Sequence, residues 1–411
     1  MLRKVLLVSL DAFFEPDVDR LPPDGAIARV LREGTFCRRV VTVFPALTYP
    51  IHVTMVTGCD PEKTGVGQNQ PFQPDTEPAL RKWYWEREHI RVPTLFEKVR
   101  QSGGNSCSIL WPVNGKNPSM RWCFPEVHPL PGESVVLKVL CYGNPLFILH
   151  GELCFGHLRH GISEPALSDY AAALAADVIR RRQPDLTALH LIDLDDTRHH
   201  HGTFSPEAGE AIRRLDRRVG DLLTALETTP GMEDALLILV SDHGQADITR
   251  TVPLMETLNQ LYPGGFPLRP QSNGMSACFF SDPSSGDAEP ERLIPFLEKH
   301  RETLGISRIY TRKDLDALHA VPGPVLAVEA APGVAFSDGL SEDKREKATH
   351  GFGPGHPGDY CLFAVRGRGI RSGAELPSFP MRDVGPTIAG LMGISLPDAQ
   401  GTDRSAEFLL R

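Results

Sequence analysis

No Cys-x-x-Cys pair joins any of the eight cysteines, at positions 37, 59, 107, 123, 141, 154, 278 and 361, which argues against thiolate zinc sites and dithiol redox chemistry. A chain of 411 residues can bury a core without covalent staples, so these thiols are expected to be free and buried, as in a cytoplasmic protein. Positive charge is not in excess: 43 Lys and Arg against 52 Asp and Glu leave a net charge of -9, the wrong sign for a nucleic-acid polymer. Long apolar runs are lacking as well. Val5 to Leu10 is too short to cross a bilayer and no small-residue cleavage pattern follows it, so a core strand is expected there, with no membrane partner. A Ser-His-Asp signal is also missing.

What remains is an ordinary globular composition, 41% hydrophobic and 23% charged. Three nearly continuous apolar runs, Lys4 to Leu10, Ala188 to Ile192 and Ala235 to Val240, have the look of parallel strands covered on both faces. Between them lie helical patterns, among them Val92 to Arg100, Ala166 to Arg182 and a helix from Ser205-Pro206 to about Thr228. Pro112 to about Ser163 is irregular. From about Gln245 to Lys347 short strands and helices alternate: Thr251 to Leu261 and Leu293 to Thr303 are expected helical, Gly274 to Phe280 and Val325 to Glu329 extended. The expected fold is therefore α/β, a mostly parallel central sheet with helices on both faces, carrying a smaller inserted α+β cap. Residues 1–245 and 347–411 form the catalytic core and 246–346 the cap.

Each of the three apolar runs ends in carboxylates: Asp11, then Asp193-Leu194-Asp195-Asp196-Thr197-Arg198-His199-His200-His201, then Ser241-Asp242-His243-Gly244. The ends of parallel strands are where open α/β sheets bind ligands. A fourth histidine segment, Thr349-His350-Gly351-Phe352 with His356 beyond, precedes the strand pattern Asp359 to Val365. Aspartates and histidines in these numbers can hold two divalent ions; mixed nitrogen and oxygen donors suit zinc, with manganese next. Two ions bring four positive charges, three carboxylates remove three, and a threonine alkoxide would make the site neutral.

That threonine is Thr48, in Phe44-Pro45-Ala46-Leu47-Thr48-Tyr49-Pro50-Ile51-His52. Pro50 can open a helix, which puts Thr48 at or just before a helix N-terminus, where free N–H groups suit a phosphate. Thr48 is then either an N-cap or a nucleophile. Farther on, Asn69 either serves a turn or donates to a phosphoryl oxygen, and Lys82-Trp83-Tyr84-Trp85 either packs in the core or stacks on a base.

In order along the chain, Asp11, Phe44-Pro45-x-x-Thr48-x-Pro50-x-His52, Thr57-Gly58, Pro61-Glu62, Asp195-x-x-x-His199, Ser241-Asp242-His243-Gly244 and His350-Gly351-Phe352 resemble the nucleotide pyrophosphatase/phosphodiesterase family of the alkaline phosphatase superfamily. The resemblance implies an alkaline-phosphatase-like core and one metal held by Asp195, His199 and His350. It implies a second metal held by Asp11, Asp242 and His243 beside the nucleophile Thr48, with Asn69 contacting a phosphoryl oxygen. It selects Asp195 over Asp193 and Asp196, His199 over His200 and His201, and His350 over His356. The expected function is two-metal hydrolysis of a small phosphodiester or pyrophosphate, such as a nucleotide, through a covalent Thr48 intermediate. The alternatives are a phosphonoacetate-hydrolase-like C–P hydrolase, a phosphomonoesterase, or an inactive metal-binding or ligand-sensing module.

Overall fold

The computed structural model describes residues 2–281, 289–339 and 346–410. The first strand, β1 (Val5–Leu10), is buried along its whole length. Its side chains alternate between two cores: Val5 and Leu7 join one, while Leu6, Val8 and Leu10 join the other. A strand covered by helices on both faces must be apolar at every position, which is why it carries no alternating pattern. Around it gather β2 (Thr35–Val41), β3 (Ser106–Ile109), β4 (Trp122–Phe124), β5 (Leu186–Leu191) and β6 (Leu236–Val240). β5 and β6 pair with β1 in parallel, and β3 continues in parallel from β5 and β4 from β3.

After β6 the chain builds two small sheets from β7 (Ala246–Pro253), β8 (Leu268–Ser272), β9 (Ser276–Ser281), β10 (Ile306–Thr311), β11 (Leu326–Ala330), β12 (Gly333–Ser337) and β13 (Ala348–Thr349). One is four-stranded, β10-β11-β9-β8, and the other three-stranded, β12-β7-β13. The chain then re-enters the large sheet with β14 (Tyr360–Arg366), β15 (Ala374–Glu375) and β16 (Phe379–Pro380), completing the order β15-β2-β14-β6-β1-β5-β3-β4 with β16 also on β2. β14 runs antiparallel to both β6 and β2. Its first residue therefore lies at the edge where the parallel strands end.

Three expectations need correction. The helix expected over Thr251 to Leu261 begins only at Leu254, because β7 extends to Pro253 through pairing with β12. The helix expected over Leu293 to Thr303 breaks at His300 into Ile294–Lys299 and Arg301–Leu304. The stretch read as irregular contains helices Val135–Tyr142 and Pro145–Phe155. They escape a periodicity argument because they are apolar on nearly every side, with Leu146 84% and Leu153 78% exposed. These helices also carry Cys141 and Cys154, which are exposed, whereas the other six cysteines are buried; all eight are free. Among the described residues, no helix is long and apolar enough to cross a membrane.

Candidate metal centre

The helix Thr48–Thr57 follows β2 at the edge where the parallel strands end, and all ten of its residues are buried. Thr48 is its first residue. Leu47 occupies the N-cap position, and no side chain caps the helix there. The capping reading of Thr48 therefore fails, and its hydroxyl goes elsewhere: Oγ1 lies 3.1 Å from His243 Nε2. The first turn offers less to an anion than a free helix end would. Asn69 Oδ1 accepts the Tyr49 N–H at 3.0 Å, Pro50 has no N–H, and Ile51 N–H bonds Leu47 O, which leaves Thr48 N–H. His52 fastens the turn to the sheet, donating from Nδ1 to Thr48 O and accepting from Ser9 Oγ, each at 2.8 Å. Burial pushes its imidazole down to about 3, so it is neutral.

Beside Thr48 lie two groups of three side chains whose ligand atoms fall within 4.8 Å of one another: Asp11, Asp242 and His243, and Asp195, His199 and His350. The sheet supplies the first from the ends of β1 and β6. Asp195 and His199 come from a helix, Asp193–His201, not a loop. Their spacing of four residues puts them on one helical face, with His199 Nε2 3.3 Å from Asp195 Oδ2. His350 arrives on the segment leading into β14. Each of the three histidines has Nδ1 on a backbone carbonyl, His199 on Ala348 O at 2.9 Å, His350 on Ala46 O at 3.0 Å and His243 on Gly244 O at 3.2 Å. Such bonds orient each ring with Nε2 inward, where the neighbours of His199 and His243 are the Asp195 carboxylate and the Thr48 hydroxyl, the usual preparation of a metal-ligating imidazole.

The electrostatics ask for positive charge here. Burial, then the neighbouring charges of Asp242 and Asp195, push the Asp11 carboxyl well above its ordinary range. Unit like charges about 4 Å apart repel by about 4 kcal/mol even at an effective dielectric of about 20. Burial holds His243 down at about 4 and His350 at about 3; burial opposes charge on His199 too, but Asp195 and Glu346 outweigh it and hold that imidazole well above its ordinary range, so a single imidazolium faces three carboxylates. Asp11 Oδ1 and Asp242 Oδ2 are buried without a hydrogen-bond partner, a costly state for carboxylate oxygens that a divalent ion would relieve. The residues fit two divalent ions. A third grouping, His52, His190 and Asp242, does not, because both nitrogens of both histidines are already hydrogen-bonded.

The neighbours of these residues face elsewhere. Asp193 is locked in ion pairs with Arg214 and Arg218. His200 and His201 are exposed, with Asp196 within 3.7 Å of His200. His356 stacks on Phe352 and accepts the Gly358 N–H. Three contributors were not legible in the sequence: His190 and Glu126 behind Asp11, and Gln245, whose Nε2 donates to Asp195 Oδ1 at 2.5 Å. The centre opens into a cavity of about 330 Å³ lined in part by Asn69, Trp83, His199, Gln271, Asn273 and His350. Trp83 thus faces the cavity while Trp85 is core.

The family model for type I phosphodiesterases and nucleotide pyrophosphatases matches residues 5–352. Human ectonucleotide pyrophosphatase/phosphodiesterase family member 5 is 26% identical over 269 residues, 63% of this chain and 48% of that protein. Venom phosphodiesterase 2 of Crotalus adamanteus is 22% identical over an alignment covering 99% of this chain and 47% of its own length. The chain spans about half the length of these two relatives. Among solved structures, an inactive variant of murine ectonucleotide pyrophosphatase/phosphodiesterase 5 in complex with AMP superimposes with a TM-score of 0.71 at 19% identity, covering 97% of each chain. The alkaline-phosphatase-like fold is shared.

Proposed function

The chain belongs to the type I phosphodiesterase / nucleotide pyrophosphatase family, and from that premise we propose that it hydrolyses phosphodiester or pyrophosphate bonds of small nucleotide-type substrates through a covalent intermediate on Thr48. One observation carries the reading: three imidazoles with Nδ1 tied to backbone carbonyls surround the buried carboxylates of Asp11 and Asp242 and the half-buried one of Asp195, and Thr48 Oγ1 lies 3.1 Å from the His243 imidazole. Asp195, His199 and His350 would hold one divalent ion and Asp11, Asp242 and His243 the other. We assign zinc, with manganese second, from the donor set. Bound there, such ions supply charge neutralisation for the phosphoryl oxygens and a lowered pKa for an adjacent hydroxyl.

Thr48 does the covalent work. Its Oγ forms a bond to phosphorus as the P–O bond to the leaving group breaks, and its proton passes to solvent. Water then attacks the same phosphorus, the P–Oγ bond breaks with its electron pair passing to Oγ, and a proton from that water restores the Thr48 hydroxyl as the product leaves. Thr48 N–H and the Asn69 side-chain amide, whose Oδ1 is held by Tyr49 N–H, are the donors available to a phosphoryl oxygen. Among the described residues lining the cavity there is no Arg or Lys to meet a phosphomonoester dianion, which favours a diester. AMP in the related murine structure and the cavity-facing Trp83 support a nucleotide. The eight free cysteines support a cytoplasmic setting.

Turnover of a nitrophenyl nucleotide diester, a nitrophenyl monoester and phosphonoacetate tests the reading side by side: the diester is expected to be the preferred substrate, and equal diester and monoester rates overturn that preference. Thr48→Ala is expected to lower diester turnover by about a thousandfold or more while still binding two metal ions per chain. Retained activity refutes the covalent route.

A further inference from the structure

Behind Asp11 stands a chain of buried charged groups that no sequence motif flagged. His190, on β5 and 1% exposed, donates from Nε2 to Asp11 Oδ2 and from Nδ1 to Glu126 Oε2, each at 2.9 Å. Its Nδ1 also lies 3.2 Å from Leu110 O. Glu126 is itself buried, with His128 Nε2 3.7 Å from its other oxygen. An imidazole that gives a hydrogen bond to a carboxylate on each side carries a proton on both nitrogens.

We propose that His190, braced by Glu126, is a positioning residue that holds Asp11 by Oδ2 and so turns Oδ1 toward the ion shared by Asp11, Asp242 and His243. The inference rests on the two-metal reading above. A histidine buried only for packing needs a single acceptor; here both nitrogens are committed to carboxylates, and the acceptor on one side is a candidate ligand. Burying three charged groups to serve packing alone would be a poor exchange, since well-packed apolar side chains of similar volume are commonly as stable or more so. The result is visible at Asp11: Oδ2 is taken by His190, while Oδ1 has no hydrogen-bond partner and lies 3.6 Å from His243 Nε2. Partners of this kind, one bond removed from the metal, typically change affinity by about ten- to a hundredfold when removed.

The test is cobalt binding, read by equilibrium dialysis and by the visible absorption of the bound ion, without reference to activity. The wild-type chain is expected to bind two cobalt ions. Glu126→Gln and His190→Ala are expected to bind one with unchanged affinity and the other about ten- to a hundredfold more weakly, with an altered cobalt spectrum. His190→Gln, which keeps an N–H toward Asp11, is expected to recover most of the loss. If His190→Ala does not fold, the nearly isosteric Glu126→Gln decides. Wild-type affinity and spectrum in the variants overturn the positioning role and leave the two-metal reading standing, and equal weakening of both sites overturns it too. A wild-type chain that binds fewer than two ions overturns the two-metal reading itself.

Discussion

Gln245 shows how much of the centre depends on side chains that carry no chemistry of their own. Its Nε2 donates to both the Oδ1 and the backbone oxygen of Asp195, at 2.5 and 3.1 Å, and so holds one carboxylate oxygen while Oδ2 faces His199. Gln245→Ala frees Asp195 to rotate, and the ion at Asp195, His199 and His350 is expected to bind about tenfold more weakly, as read by competition with a chromophoric chelator; an unchanged affinity would show the bond to be idle. Five of the candidate ligands were legible because they stand at or just beyond the end of an apolar run, where polar side chains cluster for a reason; His350 precedes its strand and was picked out by the family resemblance. Gln245, His190 and Glu126 were not, since their roles exist only once separate strands and loops meet. Among Asp193, Asp195 and Asp196, and among His199, His200 and His201, spacing alone made no choice. In the fold the neighbours lie apart from the cluster: Asp193 is paired with two arginines, and Asp196 is near the exposed His200.

At the scale of elements, the strands were read best, because burial on both faces writes itself into composition. Edges were read less well: the last three residues of β7, Thr251 to Pro253, were taken for the start of a helix, since Ala246–Pro253 are mostly exposed or half-buried and acquire strand geometry from β12 and β13. Glu164, at the entry to the helix Ala166–Arg181, offers a test of how an element responds to pH. Its Oε2 accepts the Ser168 N–H at 3.2 Å, its Oε1 is buried without a partner, and burial pushes its carboxyl up from 4.5 to about 7. A folded value above the unfolded one means that the folded state binds the proton more tightly. The penalty is therefore absent below about 4.5, grows as the pH rises, and is complete above about 7, at up to about 3 kcal/mol. Glu164→Gln is expected to raise the melting temperature clearly at pH 8 and much less at pH 5; an equal gain at both would mean that ionisation is not the source.

For the whole molecule, the three carboxylates gathered at one sheet edge link stability to metal. An ion present at a hundred times its dissociation constant adds about 2.7 kcal/mol per site when it binds only the folded chain. Chelation is expected to lower the melting temperature by several degrees, and zinc or manganese to restore it, by scanning calorimetry. Thr48→Ala should keep that response and Asp242→Ala should lose much of it. The architecture behind this link was legible in outline, as a sheet with an excursion between Asp242 and His350, but the way the excursion returns was not. The turn between β8 and β9 lies directly against the His350 segment: Met275 N–H bonds His350 O at 2.8 Å, and a Cβ on Gly351, at φ +91°, would fall 1.7 Å from Asn273 O. Contacts between segments so distant in sequence leave no local signature.

The reversal of β14 also sets an order in time. A nascent chain that has emerged just past β6, as far as His243, already holds Asp11, Thr48, Asp195, His199 and Asp242, yet it lacks His350, which enters the shared edge only because the strand after it runs backwards. One ion site thus waits on a residue translated after both small sheets. Hydrolytic competence on this reading is a property of the finished fold.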